Sequence, residues 1–149
     1  MLVVLDALLN RVTRNRMLGK YTHIITDELH IFFRSEYTAN FFADSWKRFR
    51  KYGGILTGVT QNVTECLASP TACTLLSNSD FLLMLNQSAV DREKLAALLN
   101  ISDSQLSYIT NAEPGHGLLK INKSMIPFIN AFPKNTELYK LMSTKPGEG

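Results

Sequence analysis

At 149 residues, with a net charge of +3 and two cysteines, the chain is long enough for one domain with a real hydrophobic core. The charge is too mild to demand a nucleic-acid partner, and no apolar run approaches the roughly 20 residues that cross a bilayer. Cys66 and Cys73 have neither metal-site spacing nor a secreted context, so a buried, reduced thiol is expected at each.

Residues 2–18 are predicted to be helical. Leu2, Leu5, Leu9 and Val12 recur at helical spacing with Leu8 beside them, and Arg11, Arg14 and Asn15 fall on the other side. Asp6 interrupts the opening apolar run, the arginines follow rather than precede it, and no small-residue cleavage site is present; this is read as a helix of a cytoplasmic protein, not a signal peptide. Gly19 is a natural helix stop. An apolar strand over 21–26 then ends at Asp27-Glu28. Residues 36–51 form a second helix with Phe42, Trp46 and Phe49 as its apolar stripe. Lys47, Arg48, Arg50 and Lys51 load its last turn, which suits the negative helix end. Gly53-Gly54 breaks it, and a strand over 55–60 ends at Gln61.

Asn62 with Glu65, and Ser69 with Pro70, mark helix starts, so a short broken helix is expected over 63–77. Residues 80–85 read as a continuous apolar strand. Three such runs separated by helices predict a parallel sheet covered on both faces. Ser88 with Asp91 opens a helix through Leu99, and Ser102 with Gln105 opens a shorter one to about Thr110. Pro114-Gly115 marks a turn before a β-hairpin over 117–121 and 125–131, whose second arm Pro127 confines to a sheet edge. A final helix over 134–142 and a frayed tail over 144–149 complete one α/β unit with no repeat, low-complexity segment or linker.

The strand that stops at Asp27-Glu28 places two acids at the C-terminal edge of a sheet, where open α/β folds put their ligands. Acids also end strands as turn or cap residues, and for the pair alone both readings stand. The next strand ends at Gln61, flanked by Thr60 and Asn62. Parallel neighbours bring their C-terminal ends together, so Asp27, Glu28 and Gln61 are expected to line one crevice. A glutamine amide there accepts from a water and donates to a terminal phosphate. Arg50 is either a charge complementing its helix end or a guanidinium offered to the phosphates of a neighbouring subunit, with Arg48 and Lys51 as weaker candidates. The cluster Arg11, Arg14, Arg16 and Lys20 fits a solvated helix end or a phosphate-binding surface. His23, His30 and His116 lack zinc spacing, although His30 stands close enough to the acids to sense phosphates. Tyr21, Phe32, Phe33, Tyr37, Phe41 and Phe42 are expected to pack in the core.

Taken together, Ile24-Ile-Thr-Asp-Glu-Leu-His30, Trp46-Lys-Arg-Phe-Arg-Lys-Tyr-Gly-Gly54, Gly58-Val-Thr-Gln-Asn62 and Pro114-Gly-His-Gly-Leu118 resemble the C-terminal half of the conjugation and type IV secretion ATPases. These are VirB/TraC-type motor proteins, relatives of HerA and FtsK. The resemblance implies part of a RecA-like P-loop core over 1–143, mostly parallel sheet flanked by helices, with a C-terminal hairpin and helix and a flexible tail at 144–149. It implies Asp27 and Glu28 as the Walker B pair, with Asp27 reaching magnesium through water and Glu28 as catalytic carboxylate. Gln61 is then the γ-phosphate sensor and Arg50 an arginine finger acting across a subunit boundary. The implied cofactors are ATP and magnesium. The implied partners are further copies in a hexamer or lower-order assembly and other channel components, at the cytoplasmic face of the bacterial inner membrane. There the family powers pilus assembly or the transfer of DNA or protein.

One motif is missing. The family's Walker A, G-x-x-x-x-G-K-S/T, has no counterpart: the only Gly-Lys is Gly19-Lys20, followed by Tyr21, with Arg14 where the first glycine belongs. Without those backbone amides and that lysine nothing cradles the β- and γ-phosphates. The chain alone is therefore expected to bind ATP weakly and hydrolyse little of it. It is also expected to self-associate over an uncovered sheet edge. Two alternatives stand beside this reading. Asp27-Glu28-Leu29-His30 is similar to the Asp-Glu-x-His box of helicases, which makes DNA the partner, although Thr60-Gln61-Asn62 replaces their Ser-Ala-Thr-like motif. The other alternative is a non-catalytic interaction or oligomerisation module.

Overall fold

A computed structural model describes residues 2–143 apart from the side chain of Leu2; the tail expected over 144–149 lies outside the described residues. The chain divides into two units, one ending at Asn78 and the other beginning at Ser79.

In the first unit, α1 (Leu2–Met17) buries Leu5 and Val12, with Leu8 and Leu9 packed beside them. Gly19, at φ 69°, ends it: Lys20 N–H reaches Asn15 O at 2.9 Å and Gly19 N–H reaches Arg16 O at 2.9 Å. That pair of bonds is a Schellman stop, so Gly19-Lys20 is helix punctuation and not a phosphate loop. β1 (Thr22–Thr26) follows, then a 3₁₀ turn over Leu29–Phe33, α2 (Glu36–Lys51) and β2 (Gly54–Gly58). Ser35 caps α2 by accepting from Thr38 N–H. β1 and β2 pair in parallel, from Thr22↔Gly54 to Thr26↔Gly58, with α2 as the crossover. The expected helix over 63–77 is broken into α3 (Val63–Leu67), capped by Asn62, and α4 (Pro70–Ser77), capped by Ser69 with Pro70 in its first turn.

The core of this unit is aromatic. Phe42 lies 4.6 Å from Phe32, 5.9 Å from Phe33 and 5.3 Å from Trp46 between ring centroids, and Phe49 is 1% exposed. Tyr21 and Tyr37 depart from the expectation of core packing, at 75% and 68% exposed. A tyrosine keeps its hydroxyl in water at no loss when its ring has no buried stripe to join, and neither residue lies on the helical stripe of α2.

The second unit is a three-stranded antiparallel sheet in the order β3-β4-β5, from β3 (Phe81–Met84), β4 (His116–Ile121) and β5 (Ser124–Ile129). The apolar run at 80–85 was expected to join a parallel sheet. It pairs instead with β4 in antiparallel register, Phe81↔Ile121 to Met84↔Leu118. An apolar run marks a strand but not the direction of its neighbour. Phe81 and Leu83 are 61% and 54% exposed while Met84 is buried, the one-faced pattern of an antiparallel strand. Pro127 does lie on the edge strand, and the hairpin turns through Asn122-Lys123, one residue tighter than expected. Gly117 has a packing reason: a Cβ there would sit 2.4 Å from Met84 O on the neighbouring strand. Between β3 and β4 run α5 (Ala89–Leu99), α6 (Asp103–Leu106) and a 3₁₀ turn, with a complete capping box at Ser102 and Gln105. α7 (Glu137–Met142) starts at the Thr136 cap, and Met84, Ile101, Ile109 and Leu118 form the small core of this unit.

Candidate functional site

The first unit gathers its polar side chains at the C-terminal edge of β1 and β2. The ladder does not stop where the strands do. Val59 N–H donates to Thr26 O at 2.8 Å, and Leu29 N–H donates to Val59 O at 2.8 Å. These two bonds clamp the segment after β1 to the segment after β2. Between them Glu28 takes a left-handed conformation, φ 49° and ψ 48°, and turns the chain into the 3₁₀ helix. A left-handed non-glycine costs roughly 1–2 kcal/mol and persists only when its surroundings hold it. Such residues concentrate at functional sites.

A polar network surrounds it. Gln61 Nε2 donates to Glu28 Oε1 at 2.9 Å. His30 Nδ1 lies 3.3 Å from Glu28 Oε2 and 3.2 Å from Thr60 Oγ1. His30 Nε2 faces Glu65 Oε2 at 3.8 Å, and Arg34 Nε donates to that same oxygen at 3.3 Å. Glu65 also closes the α3 cap: Asn62 Oδ1 accepts from Glu65 N–H at 3.1 Å, and Asn62 Nδ2 donates to Glu65 Oε1 at 2.6 Å. Beneath the network the Cys66 Sγ lies 3.9 Å from Thr60 Oγ1. Burial pushes the Cys66 thiol pKa up; the hydrogen bond with Thr60 opposes this, while the charge of Glu65 and the neighbouring Cys73 reinforce it.

Asp27 stands apart at the rim. It is exposed, and its Oδ1 accepts the Glu28 N–H at 2.8 Å. Among the described residues no three His, Cys, Asp or Glu converge to hold a metal. A single exposed carboxylate fits a magnesium ion that keeps most of its waters and takes its other ligands from phosphates. An apolar cavity of about 370 Å³ opens beside β1, lined by Leu5, Leu8, Ile24, Phe32 and Phe42 and reaching Thr26 and Asp27 at one end.

Of the residues singled out from the sequence, the structure joins Glu28 to Gln61 and sets Asp27 beside them. Arg50 is elsewhere. It lies in the last turn of α2, which leads through Gly53 into the start of β2, so it stands at the N-terminal edge of the two strands. The length of β2, roughly 13 Å at 3.3 Å per residue, separates that edge from Gln61. Three participants were not foreseen in their roles. The sequence marks His30 as a residue near the acids and Glu65 as a helix-start residue, and gives no sign of Arg34. The spacing held a signal for His30, since a residue three after Asp27 in a tight helical turn comes back over the acids. Nothing local pairs Arg34 with Glu65, which are 31 residues apart.

No protein-family model matches the chain, and no curated protein does. Among solved structures it is similar to VirB4 of Thermoanaerobacter pseudethanolicus, with a TM-score of 0.76 and 31% identity, covering 89% of this chain. The match takes in 36% of that protein, so the chain spans about a third of its length. The mixed α/β architecture is therefore VirB4-like, that of a partial RecA-like domain. No helix of the described residues is long and apolar enough to cross a membrane.

Proposed function

We propose that the chain is the C-terminal part of a type IV secretion ATPase core, carrying the hydrolytic edge of the nucleotide site but not the phosphate cradle. The observation that carries the reading is the 2.9 Å hydrogen bond between Gln61 and Glu28 at adjoining ends of parallel strands, in a chain with a VirB4-like fold. In this reading Glu28 orients the attacking water and accepts its proton as the bond from water oxygen to the γ-phosphorus forms and the bond from that phosphorus to the β-phosphate oxygen breaks, releasing ADP. Gln61 donates to the carboxylate and keeps a carbonyl oxygen with which to accept from that water. Asp27 would hold a magnesium ion through water. Magnesium, when bound with ATP, neutralises charge on the β- and γ-phosphates. Arg50 serves the site of a neighbouring copy in a hexamer or lower-order ring, and the assembly works with other channel components at the cytoplasmic face of the inner membrane. There it powers pilus assembly or substrate transfer.

The test has two arms. The purified chain alone is expected to show no saturable binding of a fluorescent ATP analogue. A longer protein in which the same reading frame supplies a P-loop upstream is expected to hydrolyse ATP, and Glu28→Gln to lower its kcat by about a hundredfold or more with little change in KM. Magnesium-dependent hydrolysis by the chain alone, lost on Glu28→Gln, overturns the half-site reading. Unchanged hydrolysis by Glu28→Gln in the longer protein overturns the role of Glu28.

A further inference from the structure

Both oxygens of the Glu28 carboxylate are engaged, and by partners of different kinds. Gln61, on Oε1, is exposed on a loop. His30, facing Oε2, is 8% exposed and fixed in the 3₁₀ turn. An ionised carboxylate only accepts hydrogen bonds, so the contact at 3.3 Å is attractive only when Nδ1 carries the ring proton. The opposite side of the imidazole meets a carboxylate that has partners of its own. Glu65 is held by Asn62 at the start of α3 and by Arg34 from the end of the 3₁₀ turn. At 3.8 Å the Nε2–Glu65 contact is too long for a hydrogen bond, and with the proton on Nδ1 it acts as a packing contact. Thr60 meets the same edge of the ring, and its hydroxyl oxygen also accepts Asn62 N–H at 3.1 Å. The groups around the ring are thus Glu28, Thr60 and Glu65, with Arg34 and Cys66 behind them.

A buried ring wedged between a hydrogen-bonded acid and a reactive one transmits the position of the first to the second. We propose that His30 is a positioning residue for Glu28: Nδ1 holds Oε2, Glu65 braces the ring from Nε2, and Glu28 keeps its place when Gln61 turns to a phosphate. Its consequence for hydrolysis rests on the reading of Glu28 as the hydrolytic carboxylate; the contact itself does not.

The Gln61 side-chain amide protons report where the Glu28 carboxylate is, and they can be followed by NMR in the purified chain. In the native protein they are expected away from the free-glutamine position, and His30→Ala should return them to it. Two conservative variants separate positioning from packing. His30→Asn places its amide nitrogen where Nδ1 was, so it should preserve the Gln61 signals. His30→Gln reaches toward the Nε2 position and should lose them, while backbone amides of β2 and α3 stay in place in both. Gln61 signals that ignore His30→Ala, or that respond alike to His30→Asn and His30→Gln, overturn the proposal. In the longer ATP-hydrolysing protein the expected readout is a kcat near native for His30→Asn and about tenfold lower for His30→Gln, with KM unchanged. If Glu28→Gln leaves hydrolysis intact while the Gln61 signals follow His30 as stated, the catalytic reading fails and the positioning contact stands.

Discussion

The two edges of the β1–β2 pair carry opposite charges and are built in opposite ways. At the C-terminal edge, acids meet side chains: Glu28 and Glu65 are joined through His30, Gln61, Asn62 and Arg34. At the N-terminal edge, cations meet backbone and ring. Arg16 donates to the carbonyl of Lys51 at the end of α2, and Arg16 and Lys51 lie over the Tyr52 ring at 5.8 and 5.9 Å. The first edge fixes a geometry, because every link in it has direction. The second satisfies helix carbonyls and presents charge. A cation at the second edge cannot serve the first within one copy, so any action of Arg50 on phosphates is action on another copy's site.

The largest expected effect lies in that separation. In the longer ATP-hydrolysing protein, Arg50→Ala is expected to lower kcat by roughly a thousandfold, as loss of an arginine finger does. Mixed rings of Arg50→Ala and Glu28→Gln subunits should then recover activity, since some interfaces pair an intact Arg50 with an intact Glu28. Failure of the mixture to exceed either parent, with both variants assembled, refutes action in trans. Lys51 substituting functionally for Arg50 is not expected, because a point charge lacks the guanidinium fork.

A smaller effect sharpens the contrast in packing. Each edge contains a glycine that approaches a neighbour closely. A Cβ on Gly54 would lie 2.9 Å from both the Cβ and the backbone oxygen of Phe49, which cannot step aside without moving α2. A Cβ on Gly58 would lie 2.5 Å from Leu29 Cδ2, the far end of a side chain that rotates. Gly54→Ala should therefore cost about 1–3 kcal/mol in urea unfolding, and Gly58→Ala distinctly less. Gly58→Ala should nevertheless disturb the Gln61 amide signals, since Leu29 adjoins Glu28. Equal destabilisation by the two would mean that the acidic edge is as rigid in its packing as the basic one.

What the sequence disclosed follows from what is local. Helix caps at Asn62, Ser69, Ser88 and Ser102 can be read from a few neighbouring residues, and α2 has the expected limits. The meeting of Glu28 with Gln61 was also legible, because parallel pairing of β1 with β2 follows from the helix between them and brings like ends together. The direction of β3 was not legible. Its partner, β4, begins more than thirty residues later, and Leu-rich runs suit parallel and antiparallel neighbours alike. The left-handed turn at Glu28 was equally hidden, since nothing in an Asp-Glu-Leu run demands it; the backbone bonds on either side of it run to Val59, more than thirty residues on. His30 had a visible position but an invisible brace, because Arg34 and Glu65 belong to different elements.

The smallest expected effect concerns the floor of the acidic edge and appears only at alkaline pH. Cys66 is 2% exposed, and burial first, with Glu65 and Cys73 adding to it, raises its thiol pKa above the ordinary value in spite of the Thr60 hydrogen bond. A thiol whose pKa is higher in the folded protein binds its proton more tightly there than in the unfolded chain. Its contribution to stability is therefore complete below the unfolded-state pKa and is lost as pH rises through the folded-state value. The urea midpoint of the native chain should fall between neutral and alkaline pH more steeply than that of Cys66→Ala, whose lower midpoint at neutral pH reflects lost packing alone. Reaction with a thiol reagent should likewise be slower at Cys66 than at the half-buried Cys73. If the two slopes coincide, Cys66 ionises as freely in the fold as outside it. The site would then rest on a floor open to water, and the contrast between a jointed acidic edge and a solvated basic one would lose its physical basis.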